Sequence, residues 1–388
     1  MNKNFKSRLI GITFSTISIV GFAQPSKIEN VNFRPPVDIP LYLSGTFGEL
    51  RSDHFHSGID IKTQGDEGKV IRAIADGWVS RIKISIDGYG KAIYITHPTG
   101  YVSVYGHLQK FNDSIQKFVI NEQYKKESFD IQIFPKTDQI KVKQGDIIAY
   151  SGNTGSSDGP HLHFEIRDEK SEYPLNPLLF KDIKVKDFYR PKITELVIYP
   201  VDSNSTINGV CDTVLFDIDG WGIEHRIKGK PEITVFGRIS FGICTYDLMN
   251  DLSNKNGVYN TKLFHDTAIV FDLKMNKLSF NTTRYVNSLI DYSYFIKSKK
   301  RVIRTEIDTN NLFKGYVTVH NNGIINFKDT LIHSMAFGVA DAYDNKSRLE
   351  FKVRSSDNKS KVLETKLKKI NIFFFFFFFF FFFFFFFF

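Results

Sequence analysis

Cysteine is scarce: the 388 residues contain two, Cys211 and Cys244. Neither lies near the histidines in sequence, which excludes a cysteine-ligated zinc site. The pair leaves open either one disulfide in an oxidising compartment or two buried small side chains. No cysteine follows the first apolar run, which argues against a lipid anchor at a processed N-terminus. A strong charge of one sign is lacking too. The formal net charge is +9, with basic residues scattered rather than gathered with aromatics on one face, so nucleic-acid binding is not indicated. The apolar run from Leu9 to Phe22 is too short for a comfortable membrane span, and no transmembrane anchor is expected after processing.

That run follows Lys3, Lys6 and Arg8 and ends at the small residues Gly21 and Ala23, the layout of a secretory signal peptide over residues 1–23. The expected product is exported, to the periplasm or cell envelope or beyond it. The remainder is long enough for two domains. Residues 24–40, containing RPPVD, read as a flexible entry. Residues 41–180 read as short strands separated by glycine, Asp-Gly and Thr-Gly turns, the pattern of β-hairpins. Within them, 109–143 is rich in Lys, Gln and Asp with helical patches, and reads as an insertion that borders and could cover a cleft. Residues 187–355 form a second β-rich region, with a short helix near 283–295 and a final strand pair joined at Asp344 and Asn345. The fold class expected is mainly β: an antiparallel sheet domain with a groove, then an immunoglobulin-like β-sandwich. The tail 356–388 ends in unbroken phenylalanine from Phe373, which has no pattern to select one packing; it reads as an artefact.

Six of the ten histidines fall between His54 and His163, five of them in the groups HFHSGID, YGHL and GPHLHFE. In an extended strand, side chains two or four residues apart share a face, so His56 can meet Asp60, and His161 can meet His163. Three nitrogen or oxygen ligands with one open position is the pattern of a catalytic metal. The two-His, one-carboxylate count fits zinc and also non-haem iron; hydrolysis favours zinc, which brings no redox chemistry. His107 and His161 remain for proton transfer and oxyanion stabilisation. His54 reads as a surface or supporting residue and His97 as structural. Arg51 reads as the partner of a carboxylate near the site or of a structural salt bridge. His225, His265, His320 and His333 stand isolated.

HSGID, YGHL and SGNTGSSDGPHLHFE, together with FGELR, AIADGWV and GYGKAIYITH, resemble the lysostaphin-type (LytM-like) zinc endopeptidases in motif and order from about Leu43 to Glu165. The resemblance implies His56, Asp60 and His163 as ligands of one Zn²⁺, and His107 and His161 as the catalytic pair, with base and donor unassigned. It also implies that Asn153, Thr154 and the glycines at 152, 155 and 159 shape the turn beside the metal. The implied substrate is the stem peptide of peptidoglycan, with the D-alanyl-diaminopimelate cross-link preferred because no wall-binding module of the Gram-positive kind is recognisable. The alternative is a catalytically silent relative that activates another wall hydrolase, a class that typically lacks ligands.

Overall fold

The computed structural model describes residues 28–357. The expected signal peptide and the phenylalanine run lie outside the described residues. The fold is mainly β, and it begins with twelve strands and one helix. These are β1 (Leu43–Gly45), β2 (Ile59–Lys62), β3 (Val70–Arg72), β4 (Gly77–Ile84), β5 (Lys91–Thr96), β6 (Tyr101–Gly106), β7 (Leu108–Phe111), α1 (Asp113–Lys126), β8 (Ile131–Ile133), β9 (Lys141–Val142), β10 (Ile147–Ser151), β11 (His161–Asp168) and β12 (Pro174–Leu175).

The main sheet runs β1-β2-β11-β6-β5-β4-β8, and a smaller one runs β3-β10-β7. In β11, HLHFEIRD, alternation sends Leu162, Phe164 and Ile166 into the main core with Ile59, Ile61 and Tyr105. His161, His163, Glu165 and Arg167 therefore share the other face. Register then aligns chemistry across strands: His163 stands opposite Asp60 on β2 and opposite Gly106 on β6. A one-residue slip would turn His163 into the core, so the burial of Leu162 and Phe164 locks the site in place.

Two expectations change here. The segment 109–143 does not border the groove. Asn112 caps α1 by accepting from Ile115 N, Ile115 and Val119 bury themselves in the core, and β8 pairs with β4 at the sheet edge far from β2. The apolar residues of this segment thus extend the sheet instead of forming a lid. The entry segment is not flexible from residue 28 onward either. Val31, Phe33 and Val37 are buried, and the Phe33 ring lies 5.4 Å from Phe180 and 5.9 Å from Tyr101. Burial of these apolar side chains repays the ordering of the chain.

The second unit is one hydrogen-bonded network. The long strand Thr234–Leu248 pairs antiparallel with Lys192–Pro200, and its first residues Thr234 and Val235 pair in parallel with Arg354 and Ser355, which closes the path on itself. Its helical segment spans a 3₁₀ turn Phe280–Tyr285 and the helices Val286–Leu289 and Tyr292–Ser298. The final hairpin, Ile332–Ala340 with Lys346–Ser355, closes through five residues rather than a two-residue Asp-Asn turn. The Asp341 carboxylate accepts from Tyr343 N and Asn345 N at 2.9 Å each, and Asp344 takes φ 70°, so a carboxylate-anchored loop does the reversing. Cys211 is exposed and Cys244 buried; both are free thiols.

The two units share one core. Phe55 stacks on Phe313 with ring centroids 4.4 Å apart, Phe55 N donates to Thr283 Oγ1 at 3.0 Å, and Asn176 Nδ2 donates to Met275 O at 3.0 Å. Burying a phenylalanine is worth about 1.5–3 kcal/mol. The stacked pair therefore makes the seam a load shared by both units, and it carries the second unit to the edge of the groove. No helix among the described residues is long and apolar enough to cross a membrane.

Candidate metal centre and its groove

His56 lies just before β2, not on it as the strand argument had it. The bridge between Leu50 and Phe55 folds it back, so that its Nε2 lies 3.0 Å from Asp60 Oδ1 and 3.2 Å from His163 Nδ1. His163 Nδ1 to Asp60 Oδ1 is 2.9 Å. These separations approach the roughly 3.3 Å edge of a tetrahedron with zinc–ligand bonds near 2.0 Å.

The remote atoms of the same residues decide what the near ones offer. His56 Nδ1 is 2.8 Å from Thr46 O, and since a carbonyl oxygen only accepts, Nδ1 carries the hydrogen and Nε2 presents a lone pair. His163 Nε2 is 2.9 Å from Glu165 Oε1, which likewise turns the Nδ1 lone pair toward Asp60. Asp60 keeps Oδ1 at the convergence and gives Oδ2 to Arg51 Nη2 at 3.0 Å. Two lone pairs and a carboxylate oxygen, all on buried residues, thus face one another with no donor of their own between them. Such a set fits a divalent cation, and the carboxylate behind a ligating histidine is the usual means of fixing its tautomer.

Without a cation, protons answer the same electrostatic demand. Burial opposes charge on His163, yet the hydrogen bonds and negative charges of Asp60 and Glu165 raise it to about 9. Asp60, despite burial, is held well below the usual carboxylate range by His56 and His163. Glu165 is held down in the same way by Arg167 and His163, with Arg167 Nε 2.6 Å from Glu165 Oε2. Ser57 Oγ donates to Glu165 Oε1 at 2.6 Å, as does Tyr89 through its hydroxyl, and the Tyr89 ring stacks on His163 at 4.8 Å.

His107 and His161 stand beside this set, their ring centroids 4.7 Å apart. His107 Nδ1 donates to Thr154 O and His161 Nδ1 to Gly159 O, both at 2.8 Å. The Nε2 of each is left as the working atom, and that of His161 is 3.6 Å from Asp60 Oδ1. Burial first, then the neighbouring histidines, push His107 down to about 4. His107 also holds φ 58°, a left-handed conformation uncommon for a non-glycine residue and found preferentially at working sites. The turn that supplies the two carbonyls is held by Thr154, whose Oγ1 donates to Leu108 O at 2.9 Å and accepts from Lys91 N at 3.0 Å. Gly155 and Gly90 pass so closely that a Cβ on Gly155 would lie 2.3 Å from Gly90 N.

These groups open into a groove of about 1010 Å³, whose walls include Arg51, His54, Tyr89 and Asp158 and, from the second unit, Phe280 and Thr283. None of residues 109–143 lines it. His54 is exposed and bonds Asp53 at 2.7 Å, away from the ligand set. His97 is fully buried between Asp76 O and Ser103 Oγ. His265 and His333, isolated in sequence, are in fact neighbours, with Nε2 and Nδ1 3.0 Å apart beside Asp266. Sequence reasoning missed the roles of Thr46, Ser57, Tyr89, Glu165 and Arg167. The period of two along β11 marks Glu165 and Arg167 as sharing the face of His163; nothing local marks Thr46.

Residues 54–124 and 132–177 match Peptidase family M23. The match breaks only at 125–131, so most of the expected insertion lies inside it. The DD-carboxypeptidase/endopeptidase Mpg of Neisseria meningitidis serogroup B (strain ATCC 13091 / M2091) is 32% identical over 129 residues, 33% of this chain and 23% of the relative. The murein hydrolase activator NlpD of Escherichia coli (strain K12) is 37% identical over 134 residues, 34% of this chain and 28% of the relative. The chain thus spans about a quarter of the length of these relatives. The solved catalytic domain of lysostaphin from Staphylococcus simulans is 26% identical, with a TM-score of 0.26, covering 34% of this chain and 86% of that one. A zinc-containing peptidase from Vibrio cholerae is 26% identical, with a TM-score of 0.29, covering 38% of this chain and 39% of that one. The chain therefore carries a domain of Peptidase family M23.

Proposed function

We propose that the chain is an exported zinc endopeptidase that hydrolyses peptide cross-links of bacterial peptidoglycan, with the D-alanyl-diaminopimelate bond as the preferred target. The observation that carries this reading is the pairing of three convergent lone-pair ligands with two further histidines whose Nδ1–H groups are spent on main-chain carbonyls. His56, Asp60 and His163 would hold one Zn²⁺. When bound there, zinc supplies Lewis acidity that brings the pKa of a water near neutrality and polarises the scissile carbonyl. The Nε2 of His107 or His161 takes the proton of the attacking water. Once protonated, that nitrogen is a donor for the oxyanion and for the departing amine. Glu165, itself held by Arg167, Ser57 and Tyr89, keeps the His163 ring in orientation. A groove with walls from both units suits an extended peptide better than a small compact substrate.

The relatives called murein hydrolase activators favour a second reading, in which the chain activates another wall hydrolase. The two readings separate on purified cross-linked muropeptide dimers. The endopeptidase converts them to monomers with zinc bound, and His163→Ala leaves them uncut. Intact dimers with zinc-loaded wild type, together with stimulation of an added wall amidase, would favour the activator.

A further inference from the structure

Asp187, Asp247 and Asp341 come from three distant parts of the chain: the linker ahead of the strand Lys192–Pro200, the strand Thr234–Leu248, and the loop after the strand Ile332–Ala340. They are 5%, 2% and 4% exposed, and one carboxylate oxygen of each lies within 4.8 Å of the other two. Part of their hydrogen-bonding capacity is met: Asp187 Oδ1 accepts from Tyr189 N, and Asp341 accepts from Tyr343 N, Asn345 N and Asn345 Nδ2. Asp247 Oδ1 and Asp187 Oδ2, both buried, have no hydrogen-bond partner. The charged neighbours bearing on Asp247 are Asp341 and Asp187, both negative. The three line a cavity of about 20 Å³, enough for a single ion or water, at the seam where Thr46 and Asn176 of the first unit meet Gly257 and Tyr259 of the second.

Unpaired buried carboxylates are among the costliest arrangements in a protein, and unpartnered oxygens on two of three acids that line one cavity call for a positive charge. The donors are all hard oxygens, which disfavours zinc, copper and iron. Ligands gathered from three separate segments suit calcium, which accepts six to eight oxygens at about 2.3–2.6 Å in irregular geometry, better than the strict octahedron of magnesium.

We propose that Asp187, Asp247 and Asp341 bind one calcium ion that clamps the inter-unit linker and the terminal hairpin loop at the seam. The clamp sits behind the catalytic groove. Thr46 lines the calcium cavity, while its carbonyl oxygen holds His56. The site is independent of the zinc reading and does not share a ligand with it.

The test is thermal unfolding of the full chain, stripped of metal and reloaded with one equivalent of zinc, as calcium is added. Saturating calcium is expected to raise Tm by at least about 5 °C, with a smaller rise for magnesium. Asp187→Asn/Asp247→Asn is expected to abolish the calcium shift. His163→Ala is expected to keep it, so that failure of the zinc reading leaves this result standing. Terbium gives a second measurement on wild type, its emission sensitised by Tyr259 and Tyr343 and displaced by calcium. No shift in wild type, an equal shift in the double Asn variant, or no calcium-displaceable terbium emission would overturn the proposal.

Discussion

His56, Asp60 and His163 in the first unit, and His265, Asp266 and His333 in the second, are built from the same side chains, and both groups bring their ligand atoms within 4.8 Å of one another. They differ in burial: the first three are all buried, whereas Asp266 is exposed and His265 and His333 are half-buried. In the first group each histidine spends one nitrogen on a fixed acceptor, Thr46 O or Glu165, and turns the other inward. In the second, His333 does the same, with Nε2 on Asp329 at 3.2 Å and Nδ1 turned to Asp266 at 3.0 Å. Burial opposes its charge, but these two carboxylates raise it above the ordinary histidine value, as Asp60 and Glu165 do for His163. Histidine count, proximity and second-nitrogen partners therefore do not by themselves define a metal centre; burial of the whole donor set, which keeps water from satisfying it, separates the two groups.

The comparison breaks most visibly at His163. His163→Ala is expected to abolish both zinc binding and dimer cutting, read by metal content and product chromatography. Next come His107→Ala and His161→Ala, each expected to lower kcat by about 10²–10⁴-fold with zinc retained, because the proposed function has them move protons rather than hold metal. Loss of zinc in either would place it among the ligands. Glu165→Gln is expected to weaken zinc affinity by about 10–100-fold, measured by competition with a chromophoric chelator. Unchanged affinity would remove the second-nitrogen argument.

The smallest effect belongs to His97, a third kind of histidine, buried with both nitrogens on neutral partners. Burial holds it below its ordinary value of 6.5. As pH falls below 6.5, the unfolded chain takes up the proton before the folded chain does, so stability is lost from there downward. His97→Gln is expected to flatten part of the fall in Tm between about pH 6.5 and 5. Parallel wild-type and variant curves would contradict it.

Much of the site was legible because its side chains sit at strand periods. His161 and His163 could be placed on one face from spacing alone, and Glu165 follows by the same period. His56 was assigned to the right neighbourhood by the wrong geometry, since a bridge at Phe55 rather than a continuous strand brings it to Asp60. Thr46, Phe280 and Thr283 were not legible, because their approach depends on how β1, the seam and the second unit pack. The same holds for Asp187, Asp247 and Asp341, which are separated by 60 or more residues and meet only in the folded seam. The entry segment misled for a related reason: RPPVD reads as a loop by its prolines, while its own Val37 and the preceding Val31 and Phe33 are what the core uses.

The most direct measurement is zinc per chain, by mass spectrometry of purified wild type, His163→Ala and the double variant His265→Ala/His333→Ala. One zinc in wild type and in the double variant, with none in His163→Ala, is the expected result. Zinc retained by His163→Ala, or lost from the double variant, would contradict it.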